Sequence, residues 1–480
     1  MYGVAYRPSA QNASRGHLKG RVGRPLASGM LAVLLLFASS AGWSDSVQTQ
    51  PAPSPVAAPT SSESSLFYER TPAISANPGA SNSLPGTGWL GRLVGFTPES
   101  GVRVGGAWVG NSDYLFTGGE KPGTWSFNSL MVLNLNLNLE RIVGLSGGSI
   151  NATMLQYNGE AANNKAGSVQ GYDGLIASPP LVRTELYELW YRQKLFHDKL
   201  IVRVGKSITT AEFNNVSRPV EVSDASLLIP AVTSLIYTPI FVNPTLIGVA
   251  PGYYNSAYGV SVNWAPNKSF YLDVGVYDGA GASGVQTGLK EAPVFNGHYF
   301  MIGEAAYCWL LGAEERPGKI GVGGWVQTGE MYGPEEFQPG GFKPTYQVQE
   351  EGAQGAYTYG SQRLWLRHPG VDNTGVSAFY QFGFNQSNTM PINRYFGLGA
   401  TGFGLLPGRT SDSMGAGLAW SWLNRRYGFR GNEAMLQAYY QAHLIGSLFL
   451  QPVVSYIPNP GASPQVQGTV AGTMQVIVLF

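Results

Sequence analysis

Residues 133 to 140 read Leu-Asn-Leu-Asn-Leu-Asn-Leu-Glu, an unbroken alternation of apolar and polar side chains. Extended backward, the alternation puts Phe127, Ser129, Met131, Leu133, Leu135, Leu137 and Leu139 on one side. Asn128, Leu130, Val132, Asn134, Asn136, Asn138 and Glu140 fall on the other. Successive side chains of a strand point to opposite faces, so this is a strand with one greasy and one wet face. A soluble sandwich also alternates, but its wet face usually carries Lys, Glu and Thr, whereas this one is rich in amides. A run of about 12 residues or more is long for a soluble strand and suits a tilted membrane-crossing one. The segment alone leaves both architectures open.

Composition separates them. Charged residues make up 12% of the 480, against roughly a quarter in ordinary soluble domains. Beyond the N-terminal region no apolar run is long enough for a membrane helix. A chain so poor in charge needs somewhere to put apolar surface, and a closed barrel supplies it, with lipid on one side of each strand and water on the other. Basic residues are not clustered enough to suggest nucleic acid. Cys308 is the one cysteine, so it has no intrachain disulfide partner; it reads as a packed small side chain. The five histidines are scattered without metal-ligand spacing, and neither a metal nor a cofactor is expected.

Both ends carry sorting information. Arg7, Arg15, Lys19, Arg21 and Arg24 precede the apolar stretch Met30 to Ala38 and a run of small residues through Ala41. That order describes a secretory signal peptide, expected to span 1–41. Its removal takes five of the 30 basic residues and leaves 25 against 29 acidic ones. Residues 42–88 are rich in Pro, Ser, Ala and Thr and read as a disordered periplasmic leader. At the other end Met474, Val476, Val478 and Phe480 share one face of an alternating strand. Outer-membrane barrels resemble this: their closing strand ends in an aromatic residue that the barrel-assembly machinery recognises.

Residues 89–480 read as strands and turns. Leu186 to Leu195, a turn at Phe196–Lys199 and Leu200 to Gly205 form one hairpin, with Tyr187, Leu189 and Tyr191 facing lipid and Glu188, Trp190, Arg192 and Arg203 facing inward. A second hairpin turns at Pro266–Ser269, with Val260, Val262, Trp264, Leu272, Val274 and Val276 toward lipid, and a third turns at Arg316–Lys319. Gly329 to Gln354 reads as a long extracellular loop. At about 10 residues per tilted strand the chain accommodates about 16 strands, so the fold class is all-β, a transmembrane antiparallel β-barrel.

Two motifs resemble catalytic signatures and are discounted. Gly144-Leu-Ser-Gly-Gly148 matches the nucleophile-elbow pattern, but an elbow joins a strand to a helix and this segment joins two strands. Gly205-Lys-Ser207 lacks the first glycine of a phosphate loop and no helix follows it. The inward charges are more telling. Glu188, Trp190 and Arg192 recur at two-residue steps and line one wall. They either neutralise a polar lumen or hold a sugar, hydroxyls on the charges and C–H face on the indole; rings of charged side chains set pore selectivity.

The segment Leu186-Tyr-Glu-Leu-Trp-Tyr-Arg-Gln193, followed by Val204-Gly-Lys206 and Glu212-Phe213, resembles the core signature of the carbohydrate-selective porins (OprB type). Leu137–Glu140, Gln362–Trp365, Gly375–Phe379, Gly408-Arg409, Tyr439-Tyr440, Gln451-Pro452 and Ile457–Gly461 extend the likeness over nearly the whole mature chain. The resemblance implies a 16-stranded outer-membrane barrel for passive, selective uptake of glucose, related sugars and small oligosaccharides, and no enzyme. It carries Trp190, Arg192 and Lys206 over as matched positions. Alternation adds Glu188, Arg203, Asp273 and Glu304 as pore-lining candidates, and Arg363 belongs to a matched motif with its orientation open. Where this chain has Glu185 the family often has an arginine; here Arg183 stands two residues earlier. The alternatives are a non-sugar or general porin and an outer-membrane barrel enzyme. The sugar, the oligomeric state and any loop within the lumen are not legible.

Overall fold

In the computed structural model sixteen antiparallel strands close into one barrel, each paired with its sequence neighbours and β1 (Val102–Thr117) with β16 (Thr469–Leu479). The structure describes residues 86, 88–175, 182–210, 212–214, 216, 243–252, 255–267, 269–283, 293–334, 346–369 and 374–480. The signal peptide and nearly all of the leader expected from the sequence lie outside them. Among the described residues no helix is long and apolar enough to cross a membrane; strands make the crossing.

The alternating segment is β2 (Trp125–Asn138). Phe127, Leu133 and Leu135 are exposed on the outside, and Asn128, Asn134 and Asn136 are buried within. β3 (Gly148–Asn158), β4 (Val182–Leu195) and β5 (Leu200–Ser207) continue the wall, followed by β6 (Ala257–Asn267), β7 (Phe270–Asp278) and β8 (Tyr299–Leu311). Then come β9 (Arg316–Pro334), β10 (Tyr346–Leu366), β11 (Gly375–Asn385) and β12 (Ile392–Phe403). β13 (Ser413–Leu423), β14 (Asn432–Ile445) and β15 (Leu448–Ile457) complete the circuit to β16. Connections at one end are short, as between β14 and β15, and those at the other run long, as between β5 and β6. Short turns face the periplasm in such barrels, so the long loops face outward.

Three local expectations are corrected. The third turn lies at Gly312–Glu315, four residues earlier than read, with Gly312 and Glu315 both at left-handed φ (72° and 50°). Arg316-Pro-Gly-Lys319 is instead the start of β9, where a proline at a strand's beginning leaves the ladder intact. Of the stretch Gly329 to Gln354, the described residues 329–334 and 346–354 are strand, a continuation of the β9–β10 hairpin ladder with register shifts at Val348/Glu350 and Glu351/Ala353 and left-handed Gly329 and Gly352; residues 335–345 lie outside the described ones. Glycines at bulges made that hairpin look like a loop. Finally, Gly144–Gly148 follows a short helix, α2 (Leu139–Val143), so the order is helix, turn, strand, the reverse of an elbow.

Where β16 ends, the lower part of β1 would present an open edge. The terminal residue exchanges two backbone bonds with Gly106 (2.7 and 2.8 Å), and α1 (Trp89–Leu93) lays its buried Gly91 against the main chain of Val104. Covering an edge in this way removes a template for unwanted pairing.

The glycine content has a packing reason. Inward tyrosine rings lie on cross-strand glycines: Tyr357 on Gly323, Tyr359 on Gly321, Tyr277 on Gly259 and Tyr439 on Gly415. A Cβ at Gly323 would run into the Tyr357 ring. We expect Gly323→Val to cost about 1–3 kcal/mol through overpacking, read as a lower unfolding midpoint in urea; an unchanged midpoint would show the ring free to swing aside.

Candidate functional site

The eight residues singled out by sequence all face inward. Glu188, Trp190 and Arg192 lie on β4, Arg203 and Lys206 on β5, Asp273 on β7, Glu304 on β8 and Arg363 on β10, every one buried. Arg192 and Arg203 are direct cross-strand partners, a like-charge pairing that costs stability unless compensated. The compensation is visible. Both guanidiniums lie against the Trp190 ring, 5.9 and 5.4 Å from its centroid, and Arg203 pairs with Glu212 at 2.6 Å. With its faces taken by cations, the indole serves to set the two guanidiniums rather than to lie open as a platform.

Arg192, Arg203 and Asp273, with Glu212, Ser261 and Asn263, line a small pocket. Asp273 is the register partner of Glu304 on the next strand. Asn263 donates to Asp273, and Glu304 accepts from Tyr357 (2.9 Å), Tyr359 (2.5 Å) and Tyr271 (3.3 Å). Lys206 is brought inside by Gly205, whose φ of 136° breaks the alternation that would have put the lysine in lipid. Its ammonium donates to the Leu186 carbonyl at 2.7 Å. Arg363, on β10, lies over the Phe403 ring at 5.3 Å.

One inside-outside assignment is overturned. Tyr187, expected toward lipid, is 7% exposed and faces in, because Thr153 pairs with Glu188 while Met154 pairs with Leu186. That bulge gives one extra residue to β4 and puts two neighbours on one face. It also returns Arg183 and Glu185, an ion pair at 3.4 Å, to the same face as Glu188.

Two loops from the long-loop end fold into the barrel, a feature the sequence did not reveal. The first, after β3, carries α3 (Ala162–Ala166) and crosses to β13 and β14. Glu433 accepts there from Ser168 Oγ (2.5 Å), Val169 N (2.9 Å) and Gln170 N (3.2 Å), and also from Gly461 N (2.5 Å). Its Asp173 accepts from Asn111 (2.7 Å) and Asn128 (2.5 Å) on β1 and β2. Burial, then the Asp113 and Asp173 carboxylates, push the Tyr172 phenol of this loop well up, so it stays neutral. The second loop, after β5, sends Asn214 to Glu304 (N–H to carboxylate, 2.7 Å) and takes bonds from Gln381 and Ser361 on its Asn214 and Val216 carbonyls (3.2 and 2.9 Å). Of the residues missed, Glu212 stands in a motif already quoted, and Tyr357 and Tyr359 alternate within Ala356–Gly360; the rest carry no local signal. Among the described residues no group of three or more His, Cys, Asp or Glu could hold a metal ion.

A barrel greasy outside, polar and charged within, and narrowed by its own loops is a diffusion pore of an outer membrane that sorts solutes by contact as well as size. Residues 130–480 match the family described as carbohydrate-selective porin, OprB family. Porin B of Pseudomonas aeruginosa is 22% identical over 427 residues, 80% of this chain and 88% of that protein. The fold is similar to that of Pseudomonas putida OprB at high pH, with TM-score 0.67 and 17% identity over 85% of this chain and 100% of that one. The low-pH structure gives TM-score 0.50 and 15% identity over 82% and 96%. The chain belongs to the carbohydrate-selective porin family: it is an outer-membrane channel for passive, selective passage of carbohydrates.

Proposed function

We propose that the selective contact is made by Arg192 and Arg203, held by Trp190, against glucose-sized neutral sugars and small oligosaccharides. The supporting observation is the pair of guanidiniums from adjacent strands set against one indole, with Glu212 paired to Arg203, Asp273 lining the same pocket and Glu304 cross-strand from Asp273. Guanidinium edges donate to ring and hydroxyl oxygens, and carboxylates accept from hydroxyls. Interleaved signs give an ion no net advantage, whereas a polyol satisfies both kinds of group at once. Each contact is weak enough to let go, as conduction requires. Lys206 and Arg363 bracket the route as further donors. Phe480 is proposed as the contact for the barrel-assembly machinery.

The expected result of Trp190→Ala is about tenfold weaker glucose binding, a loss of about 1.4 kcal/mol, because the two guanidiniums are no longer held as a fixed pair. Glucose-dependent current noise in planar bilayers measures it. Liposome swelling should show a size-matched amino acid unaffected. Equal permeation of glucose and that amino acid in the wild type would overturn the reading.

A further inference from the structure

The extracellular ends of β11, β12 and β13 gather cations without the carboxylates that would balance them. Between Asp372 and Glu433 the only acidic residue is Asp412, which lies at the periplasmic end and pairs with Arg409 at 2.6 Å. At the extracellular end Arg394 heads the outward row of β12, and Arg425 and Arg426 follow β13 in the short 3-10 turn Arg425–Tyr427. All three are exposed. Among the described residues the side chains of Arg394 and Arg425 make no hydrogen bond or ion pair. Glu350, which reaches the β11–β12 loop from β10, is taken up by Thr389 Oγ1 (2.7 Å) and Asn388 N (3.0 Å), and Glu433 faces inward.

Aromatic rings flank these cations. Arg394 is cross-strand from Phe384 on one side and Trp422 on the other. Trp422 stacks on Trp420 (5.1 Å, 8°), and Phe384, Trp420 and Leu398 are exposed on the outer face, continuous with the wall that lipid covers. A girdle of this kind marks the depth where a barrel meets headgroups. An arginine there lays its stem along apolar surface and sends its head to the polar layer. The two loops are also tied together. Asn424 Nδ2 donates to the Asn388 and Met390 carbonyls (2.8 and 3.0 Å), and the Tyr427 hydroxyl donates to the Thr389 carbonyl. Holding like charges on one rigid rim costs stability unless an anion joins them.

We infer that this rim docks the phosphorylated, acylated glycolipid of the outer leaflet, its phosphates on Arg394, Arg425 and Arg426 and its acyl chains on Phe384, Trp420 and Trp422. Guanidinium forks match phosphate oxygens in pairs. Basic clusters at the edge of an apolar wall recognise lipid headgroups by the same chemistry. A second barrel docking here through the same face would meet the rings but bring its own positive charge, a mismatch that disfavours it.

The test uses the barrel purified from outer membranes in detergent. It is titrated with the phosphorylated glycolipid and with the same lipid after removal of its phosphates, and bound lipid is read by native mass spectrometry. The wild type should bind the phosphorylated form about tenfold more tightly, and Arg394→Gln with Arg425→Gln should lose that preference. A wild type that binds both forms alike, or a variant that binds the phosphorylated form as the wild type does, overturns the docking surface. Complete displacement by inorganic phosphate overturns it too, since the acyl chains would then contribute nothing. Dimers that disappear in the variant would assign the face to a second copy instead. If the variant fails to fold, the two lipids on the wild type decide alone.

Discussion

Glu433→Ala is expected to raise single-channel conductance severalfold and to blunt discrimination among solutes. This one carboxylate takes a hydroxyl and three backbone N–H groups from two loops. Its removal leaves those donors buried without an acceptor, at about 1–3 kcal/mol each. The loop after β3 is then better off in water, and it leaves the lumen. Glu433→Gln keeps the shape but offers one acceptor oxygen, so an intermediate conductance is expected. Limited proteolysis within residues 159–175 gives a second readout, since a released loop is cut and a docked one is not. Unchanged conductance together with an uncut loop would mean that the Asp173 contacts hold it alone.

Leu133→Arg is expected to destabilise the barrel by about 2–4 kcal/mol, because an arginine on the lipid face at mid-depth must stay in hydrocarbon or drag water to itself. Against a total of roughly 5–15 kcal/mol for typical proteins, the loss should show as reduced outer-membrane yield and a lower urea midpoint in lipid. Phe127→Arg, on the same face but nearer the strand's outer end, should cost about 0–1 kcal/mol. Equal effects at the two depths would mean that something other than a bilayer surrounds this face.

The outside of the barrel was far more legible than the inside. Val260, Val262, Trp264, Leu272, Val274 and Val276 point outward as read, because lipid demands apolar side chains at every second position and tolerates little else. Tyr187 escaped the pattern because a bulge leaves no mark in a period of two. The inward charges were found for the same reason that the lipid face was, by parity. Their partners were not: Glu212 meets Arg203, and Ser168 meets Glu433 across 265 positions of chain. Nothing local announces such meetings. The lumen-crossing loops are rich in the residues that loops carry anywhere, and only the bonds they make distinguish them.

The seam between the first and last strands sets a schedule for biogenesis. Thr473 bonds Asp113 and Gln475 bonds Asn111 across 360 and 364 positions, so closure waits on the most distant contacts in the molecule and is intrinsically slow. Until then every partly built sheet has two raw flanks that could zip to a neighbour's. A periplasmic escort that shields those flanks, or a docking partner that offers its own strands as temporary guests, would shorten the dangerous interval.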